Sequence, residues 1–515
     1  MRNNLALSAL TGILVALSLP PFRMGFLAYV ALIPFFLLIE NKSLKESCVW
    51  SYVTGLCINV TSLFWIGWVT IPGLVGALLI LPLFTSLYGI LHAFLFRRFH
   101  QVAYLISPFL WTAFEYIQSF GETAFPWVTL GYSQTYYTKI IQFAEFTSVY
   151  GVSFLVVTLN VLLLFLWKKS TTRRQKSIIV VAVIALIFFP YLYGQKVMAS
   201  LPIKEKLCKI ALLQGNVDPF EKWQKYTDED NVRIYETLIR EAAANRPDLI
   251  IMPETAMPFF LRYEPQYLRR LRHIADSLDV AIFTGGLDYE YNRGGRNHHY
   301  NATFLIEPHS LGIQSYRKMQ LVPFSEKVPY RNYFPFNVLK NLLFDMELGI
   351  GDYSSGEDYT VFYLPMKDEE ENADSSSVNI TRFSSAICYE SVFPDINRRF
   401  VKENIDFLTV VTNDAWFGKT SAPYQHAQIA VFRAIENRIS IARCANTGIS
   451  CFIDPFGRIR NESKLFVKTI VVDDISPRLA TTFYTTHGNV FAKIVSLVSI
   501  VVLIVGVLKK PFHRD

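Results

Sequence analysis

The chain has 515 residues, 51% hydrophobic and 15% aromatic, with only 18% charged and a formal net charge of +7. A soluble domain is nearer a quarter charged, so part of this chain has lipid for a solvent. The basic residues fall in short groups between apolar runs rather than along one face, which argues against a nucleic-acid partner and for a role in membrane topology.

Seven apolar segments of roughly spanning length precede residue 196, at 5–19, 25–38, 48–69, 75–95, 102–117, 141–167 and 178–192; an eighth covers 490–508. The first is not read as a cleaved signal peptide, because "SLPPFRMGF" offers no small-residue cleavage site and another apolar run follows. With the N-terminus in the cytoplasm, the inside segments hold Arg2, Lys42, Lys45, Arg97, Arg98, Lys168, Lys169, Arg173, Arg174, Lys176, Lys509, Lys510 and Arg514. The short outside loops hold Arg23 and Lys139, a strong positive-inside asymmetry. The expected organisation is a seven-helix transmembrane domain (1–195), an extracytoplasmic domain (196–487), and a last transmembrane helix with a short cytoplasmic tail (488–515). Glu115 and His92 lie inside spans, where an ionisable group marks function by default. No chain of such groups continues from them, so helix–helix hydrogen bonds are expected.

Between the spans, short β-branched runs recur at 209–217, 248–254, 280–289, 301–308, 382–390, 405–414 and 448–457. Helix-period segments at 228–246, 264–279 and 425–444 alternate with them, which predicts an α/β sheet architecture. "GG" at 285–286 reads as a tight turn after a strand. The acidic segment 367–377 reads as a solvated loop. The apolar segment 333–346, with Leu342 and Leu343, either packs on its domain's own core or dips into the bilayer interface; the second is the reading preferred, with the segment gating lipid access.

Polar residues at strand ends are where an α/β enzyme places its chemistry. Glu254 ends "LIIMPET", Lys318 lies in "YRKMQLVPFSEKVP", and Cys388 ends the run "RFSSAI" and is followed by Tyr389 and Glu390. A cysteine, a carboxylate and a lysine supply a nucleophile, a base for its proton and a cation for an oxyanion. Singly, each has a bland reading as a buried thiol or a solvated charge. Six cysteines are no disulfide framework in a chain of this length, although Cys444 and Cys451 are close enough in sequence to pair. No metal or cofactor is implied, since "NHHY" at 297–300 lacks the further ligands of a closed site. His426, at the start of a helix-like segment, is given a structural role.

"PET" at 253–255, "YRKMQLVPFSE" at 316–326 and "CYES" at 388–391 resemble, in order and separation, the Glu-Lys-Cys motifs of the nitrilase, or carbon–nitrogen hydrolase, superfamily. "FPWVTLGYSQ" at 125–134 and "NDAWFG…APYQH…RAIENR…RCANTG" at 413–448 are similar to the apolipoprotein N-acyltransferase family in particular. The resemblance covers essentially the whole chain. It implies an α-helical membrane bundle of about eight transmembrane helices plus an extracytoplasmic α/β, nitrilase-like αββα sandwich, in the bacterial inner membrane. It also implies ping-pong transfer of an acyl chain from a phospholipid, through a thioester on Cys388, to the α-amine of the diacylglyceryl-cysteine that begins an apolipoprotein.

In that scheme Glu254 is the general base, Lys318 stabilises the oxyanion and Cys388 is the nucleophile. Glu326 orients the lysine or pairs with Arg331 or Lys327; Glu390 supports the loop and Tyr389 shapes the pocket. Trp416 and Phe417 line the acyl channel or pack in the core, the commoner role for such aromatics, and Leu342 and Leu343 are expected to meet the acyl chain. Ser325 and Cys444 depart from the family pattern, which expects glycine and serine there, and neither is a reacting group. Two other readings stay open: a membrane-tethered amidase with the same three residues, and a transporter with an accessory domain, which would keep its activity without Cys388.

Overall fold

The computed structural model describes residues 2–203, 206–218, 228–291, 297–333, 337, 351–366 and 379–509. Leu342, Leu343 and most of the proposed gating segment lie outside the described residues, as does the acidic segment 367–377. The chain forms two compact units, Met1–Ser200 with His487–Asp515, and Leu201–Thr486.

In the first unit the apolar segments become helices: Arg2–Ser18, Leu44–Leu63, Ile71–Phe99, Val102–Ile117, Ala144–Trp167, Arg173–Ser200 and Val490–Leu508. Ser43 and Glu46 close a reciprocal capping box at the start of Leu44–Leu63, and Thr70 caps Ile71–Phe99. Among the described residues, four of these helices are long and apolar enough to cross a membrane: Ile71–Phe99, Ala144–Trp167, Arg173–Ser200 and Val490–Leu508. The segment 25–38, expected to span as one helix, does not form one. It divides into a 3-10 turn, Gly25–Tyr29, and a seven-residue helix, Ile33–Ile39. At roughly 1.5 Å per residue that helix is far too short for a hydrocarbon core about 30 Å thick. The break is held by Asn160, whose Nδ2 donates to the Ala28 carbonyl (2.7 Å) while its Oδ1 accepts the Leu32 N–H (2.8 Å). Glu115 accepts from Trp111 Nε1 (2.8 Å) and from the N–H of Leu130 (2.9 Å), at the start of the 3-10 turn Leu130–Gln134. His92 meets Ser107 of the next helix at 3.3 Å.

Among the described residues, the second unit has thirteen strands: β1 (Cys208–Gln214), β2 (Leu249–Ile251), β3 (Met257–Phe260), β4 (Ala281–Glu290), β5 (His298–Ile306), β6 (Gln314–Arg317), β7 (Phe362–Pro365), β8 (Ile380–Ile387), β9 (Phe407–Thr412), β10 (Ser440–Ala445), β11 (Cys451–Ile453), β12 (Ile459–Arg460) and β13 (Thr469–Ile475). One sheet runs β13-β1-β2-β4-β5-β6 with β3 beside β4, and the other β12-β11-β10-β9-β8-β7. Their inner faces meet where Phe283 of β4 lies edge-on to Phe362 and Phe383, at 5.0 and 5.2 Å. Cys444 Sγ crosses the same interface to the carbonyls of Leu213 and Ile251. On the outside of the first sheet, the amphipathic helix Asp228–Ala243 buries Val232, Tyr235, Leu238 and Ile239, and Pro265–Leu278 buries Leu271 and Ile274. Pro394–Lys402 and Ala422–Asn437 pack on the second sheet's side. The order of layers is helix, sheet, sheet, helix.

Two expectations are corrected. The segment 425–444 is not one helix: Ala422–Asn437 stops at Arg438, whose φ of 49° is left-handed, and β10 follows, paired in parallel with β9. The buried Arg438 guanidinium, donating to the Pro455 carbonyl and lying over Phe456, fixes that reversal. Gly285 and Gly286 are not a turn but the middle of β4. A Cβ on Gly285 would come within 2.6 Å of the Pro253 carbonyl and 2.7 Å of Glu254 Cα, so a glycine is needed for close approach. All six cysteines are free, Cys444 and Cys451 included.

Candidate active site

The carboxyl ends of strands from both sheets carry the charged residues. Glu254 lies three residues beyond β2, Lys318 directly after β6, Cys388 directly after β8 and Asn413 directly after β9. Lys318 Nζ sits 2.9 Å from Glu326 Oε1 and 3.4 Å from Glu254 Oε1. Asn301 on β5 donates from one nitrogen to the same two oxygens, 2.7 Å to Glu254 and 3.1 Å to Glu326. The remaining oxygens are also held: Glu254 Oε2 accepts the Asn413 N–H (2.9 Å) and Glu326 Oε2 accepts the Val322 N–H (2.9 Å). Each carboxylate is therefore fixed at both oxygens. Arg331, one of the two other partners considered for Glu326, pairs with Asp352.

Burial alone would push the Lys318 pKa down, but Glu326 and Glu254 outweigh it and hold the group above the ordinary lysine range. It is a permanent cation, 1% exposed, in a pocket that carries two carboxylates. The Cys388 thiol responds in the opposite way. Burial pushes its pKa well up, Glu254 adds to the rise and Lys318 opposes it. The resting nucleophile is a neutral thiol within electrostatic reach of a carboxylate and an ammonium, so its proton must leave as it attacks.

Cys388 itself has a φ of 52°, in the left-handed region that costs an ordinary residue of order 1–3 kcal/mol. The strand ends there and a 3-10 turn, Cys388–Val392, begins. Glu390 holds this turn from within. Its Oε2 accepts the Ile387 N–H (2.7 Å), and its Oε1 accepts from Tyr316 Oη (2.6 Å) and the backbone N–H groups of Met319 (2.7 Å) and Gln320 (3.1 Å). A single buried carboxylate thus ties the segment after Lys318 to the segment before Cys388. Tyr389, 3% exposed, packs edge-on to Phe393.

Trp416 is half-buried on the 3-10 turn that follows Asn413, and Phe417 lies edge-on to the His426 ring at 6.2 Å. Among the described residues, no group of three or more His, Cys, Asp or Glu side chains is arranged to hold a metal ion.

Comparison with known proteins bears on both units. A family model described as the apolipoprotein N-acyltransferase N-terminal domain matches residues 11–162, and one described as carbon-nitrogen hydrolase matches residues 209–484. The apolipoprotein N-acyltransferase of Geobacter metallireducens is 34% identical, with 100% of this chain and 97% of the relative covered. The chain belongs to the apolipoprotein N-acyltransferase family. The family's representative in Chlorobaculum tepidum is 32% identical, with 98% and 96% covered. Among solved structures, Saccharomyces cerevisiae Nit3, a member of the nitrilase superfamily, covers 54% of this chain and 92% of its own at 17% identity and a TM-score of 0.38.

Within the carbon-nitrogen hydrolase match, the residues singled out from sequence that come together are Glu254, Lys318, Glu326 and Cys388, with Glu390 beneath them. Sequence reasoning missed Asn301, which bonds both carboxylates, and the Asn413 N–H that fixes Glu254. Asn301 sits in "YNATF", an ordinary strand sequence, and carries no signal of its own. Asn413 lies in "NDAWFG" and acts through its backbone N–H, which its side-chain identity does not signal.

Proposed function

We propose that this protein moves an acyl chain from a phospholipid to the α-amine of an apolipoprotein's N-terminal diacylglyceryl-cysteine, with Cys388 as the intermediate carrier. The observation that carries the reading is a partly exposed cysteine on a left-handed turn, beside a lysine clamped by two carboxylates. Family membership over the whole chain supports the substrates.

In the first half-reaction Glu254 takes the thiol proton as sulfur attacks the ester carbonyl of the donor. The oxyanion is met by the Lys318 ammonium, a fixed cation that needs no reorganisation as charge develops. Collapse breaks the ester C–O bond, the proton on Glu254 goes to the departing alkoxide, and a lysophospholipid leaves a thioester on Cys388. In the second half-reaction the acceptor amine attacks the thioester and gives its proton to Glu254. The C–S bond breaks, sulfur recovers that proton, and an amide remains. Glu326 and Asn301 compete for Lys318 and Glu254, so the ion pair between those two stays the longer of the lysine's two carboxylate contacts. The bundle of about eight spans, in which 25–38 crosses as a broken segment rather than as one helix, with the α/β unit on the extracytoplasmic side of the bacterial inner membrane, is supported by the positive-inside asymmetry and brings a lipid donor and a lipid-bearing acceptor within one enzyme's reach.

The test is intact mass spectrometry of the full-length protein incubated with phospholipid vesicles, beside Cys388→Ala. A hydroxylamine-labile acyl adduct on the native protein alone is expected. No adduct, together with turnover of a water-soluble amide, would replace the acyltransferase with an amidase.

A further inference from the structure

Cys388 is engaged from two sides, and both lines of hydrogen bonds end on one buried carboxylate that the mechanism above does not use. On the backbone side, the Cys388 carbonyl accepts from Ser391 Oγ (2.8 Å) and faces His426 Nε2 (3.1 Å), while Ser391 Oγ and His426 Nε2 lie 2.9 Å apart. The opposite ring nitrogen, Nδ1, donates to Asp414 Oδ1 (2.9 Å). On the thiol side, the Thr412 hydroxyl donates to the same Asp414 oxygen (2.8 Å), which leaves its own oxygen to accept from the Cys388 thiol beside it. Asp414 Oδ2 is taken by Arg443 Nη2 (2.9 Å). Thr412, Asp414, His426 and Arg443 are all fully buried. The site is built to size: a Cβ on Gly448 would fall 2.2 Å from Asp414 Oδ2.

We infer that Asp414 and His426 are positioning residues for the nucleophile, holding Cys388 in its left-handed turn through its carbonyl and orienting its thiol through Thr412. The inference rests on Cys388 being the nucleophile of the reaction proposed above. The physical argument is one of sign. A fixed carboxylate near sulfur opposes thiolate formation, so Asp414 is no activator, and its use must be geometric. What it supplies is an anchor that stays put: burial would raise its pKa, but Arg443 and His426 outweigh burial and keep it a carboxylate. A left-handed cysteine needs such an anchor, because its carbonyl has been turned out of the strand ladder and must find donors elsewhere. The turn's other holder, Glu390, grips the residue before Cys388 and leaves both the thiol and the carbonyl free.

The test compares two amides that each replace one ring nitrogen. His426→Gln puts an N–H near the Nε2 position and keeps a donor for the Cys388 carbonyl. His426→Asn puts one near Nδ1 and keeps only the Asp414 contact. Two rates are read on the full-length protein in detergent: alkylation of Cys388 by iodoacetamide, and thioester formation from phospholipid vesicles with KM and kcat separated. His426→Asn should lose about 100-fold in kcat for the thioester with KM nearly unchanged, the cost of a misplaced reacting atom. It should also lose alkylation rate, and His426→Gln should recover at least about tenfold of the loss in both. Thr412→Val, which keeps the side-chain shape, is a second arm should the histidine variants unfold, and should slow both rates by about tenfold. Equal loss in the Gln and Asn variants at native melting temperature, or Thr412→Val within about twofold of native, would overturn the inference. A native protein that alkylates normally but takes no acyl group from phospholipid would sink the functional reading while leaving the positioning comparison intact.

Discussion

Buried polar side chains have different partners in the two units. In the membrane unit several of them bond to backbone: Asn160 to Ala28 and Leu32, Gln134 to the Gly25 carbonyl, Glu115 to the Leu130 N–H. In the α/β unit the buried charges bond to one another: Lys318 to Glu254 and Glu326, Asp414 to Arg443 and His426, Arg433 to Glu436. Lipid gives an unpaired N–H or C=O no water to turn to, so a polar side chain there completes broken helices. In the sandwich, strand ladders satisfy most of the backbone, and a buried charge survives with a counter-charge or, as at Glu390, with several hydrogen-bond donors aimed at it. Paired buried charge therefore marks where chemistry is prepared, and backbone-bonded amides mark where the chain is bent.

Removing Glu254's charge should break that pairing most severely, in two opposite directions. Glu254→Gln keeps the side-chain shape but loses the base, so acyl transfer should fall roughly 10²- to 10⁴-fold. Its charge is one of the causes that raise the Cys388 pKa, so its loss should lower that pKa and increase the thiolate fraction at pH 8. Alkylation should then speed up, about tenfold for each unit the pKa falls, with the rise in rate against pH moved to lower pH. A fall in both rates together would mean that Glu254 acts by holding structure.

Glu390→Gln comes next. The amide presents donors to at least one of the four groups that now donate to Glu390, leaving buried N–H or O–H groups unpaired. Each such loss costs about 1–3 kcal/mol, so the melting temperature should fall measurably. Activity should drop about 100-fold, because the Lys318 segment and the Cys388 turn lose their common tie. Native activity in a folded Glu390→Gln protein would show that the tie is dispensable.

Asn301→Ala should have a smaller effect, about tenfold in kcat. Lys318 still bridges both carboxylates, but each loses a neutral donor and is freer to close on the ammonium. Measured against Glu326→Gln in a double-mutant cycle, the two losses should be non-additive, since both residues meet at one oxygen.

How much of this was legible follows the same division. Cys388, Lys318 and Glu254 were legible because each ends or follows a strand-like run, and became specific only together, through the order and separation of the motifs that hold them. The helices of the membrane unit were legible from apolar length alone. The break within 25–38 was not, because it depends on Asn160, over a hundred residues away. Arg438 hid the change from helix to strand inside a continuous apolar period, since a left-handed arginine looks like any other in sequence. Gly285 was read as a turn for want of its neighbour: it serves the close approach of Glu254, which only the packed sheet reveals. Asn301 reaches Glu254 from a strand 47 residues on, and Asp414 and His426 meet Cys388 from a turn and a helix that follow it, so their contacts appear only when the chain is packed.

The smallest predicted effect is the sharpest check on the comparison. Asn160→Leu removes the donor to Ala28 and the acceptor for Leu32 while adding apolar volume that the bilayer tolerates. Two buried backbone groups are left unpaired, and model systems place interhelical polar contacts in membranes at about 0.6–2 kcal/mol, so the unfolding midpoint in mild detergent should fall modestly. Iodoacetamide alkylation of Cys388 should keep its native rate and pH profile, because the groups that set them, Glu254, Lys318, Thr412 and Asp414, all belong to the α/β unit. An altered alkylation profile in this variant would show that the membrane unit's backbone repairs reach the thiol, and the division between architectural amides and reactive charges would no longer hold.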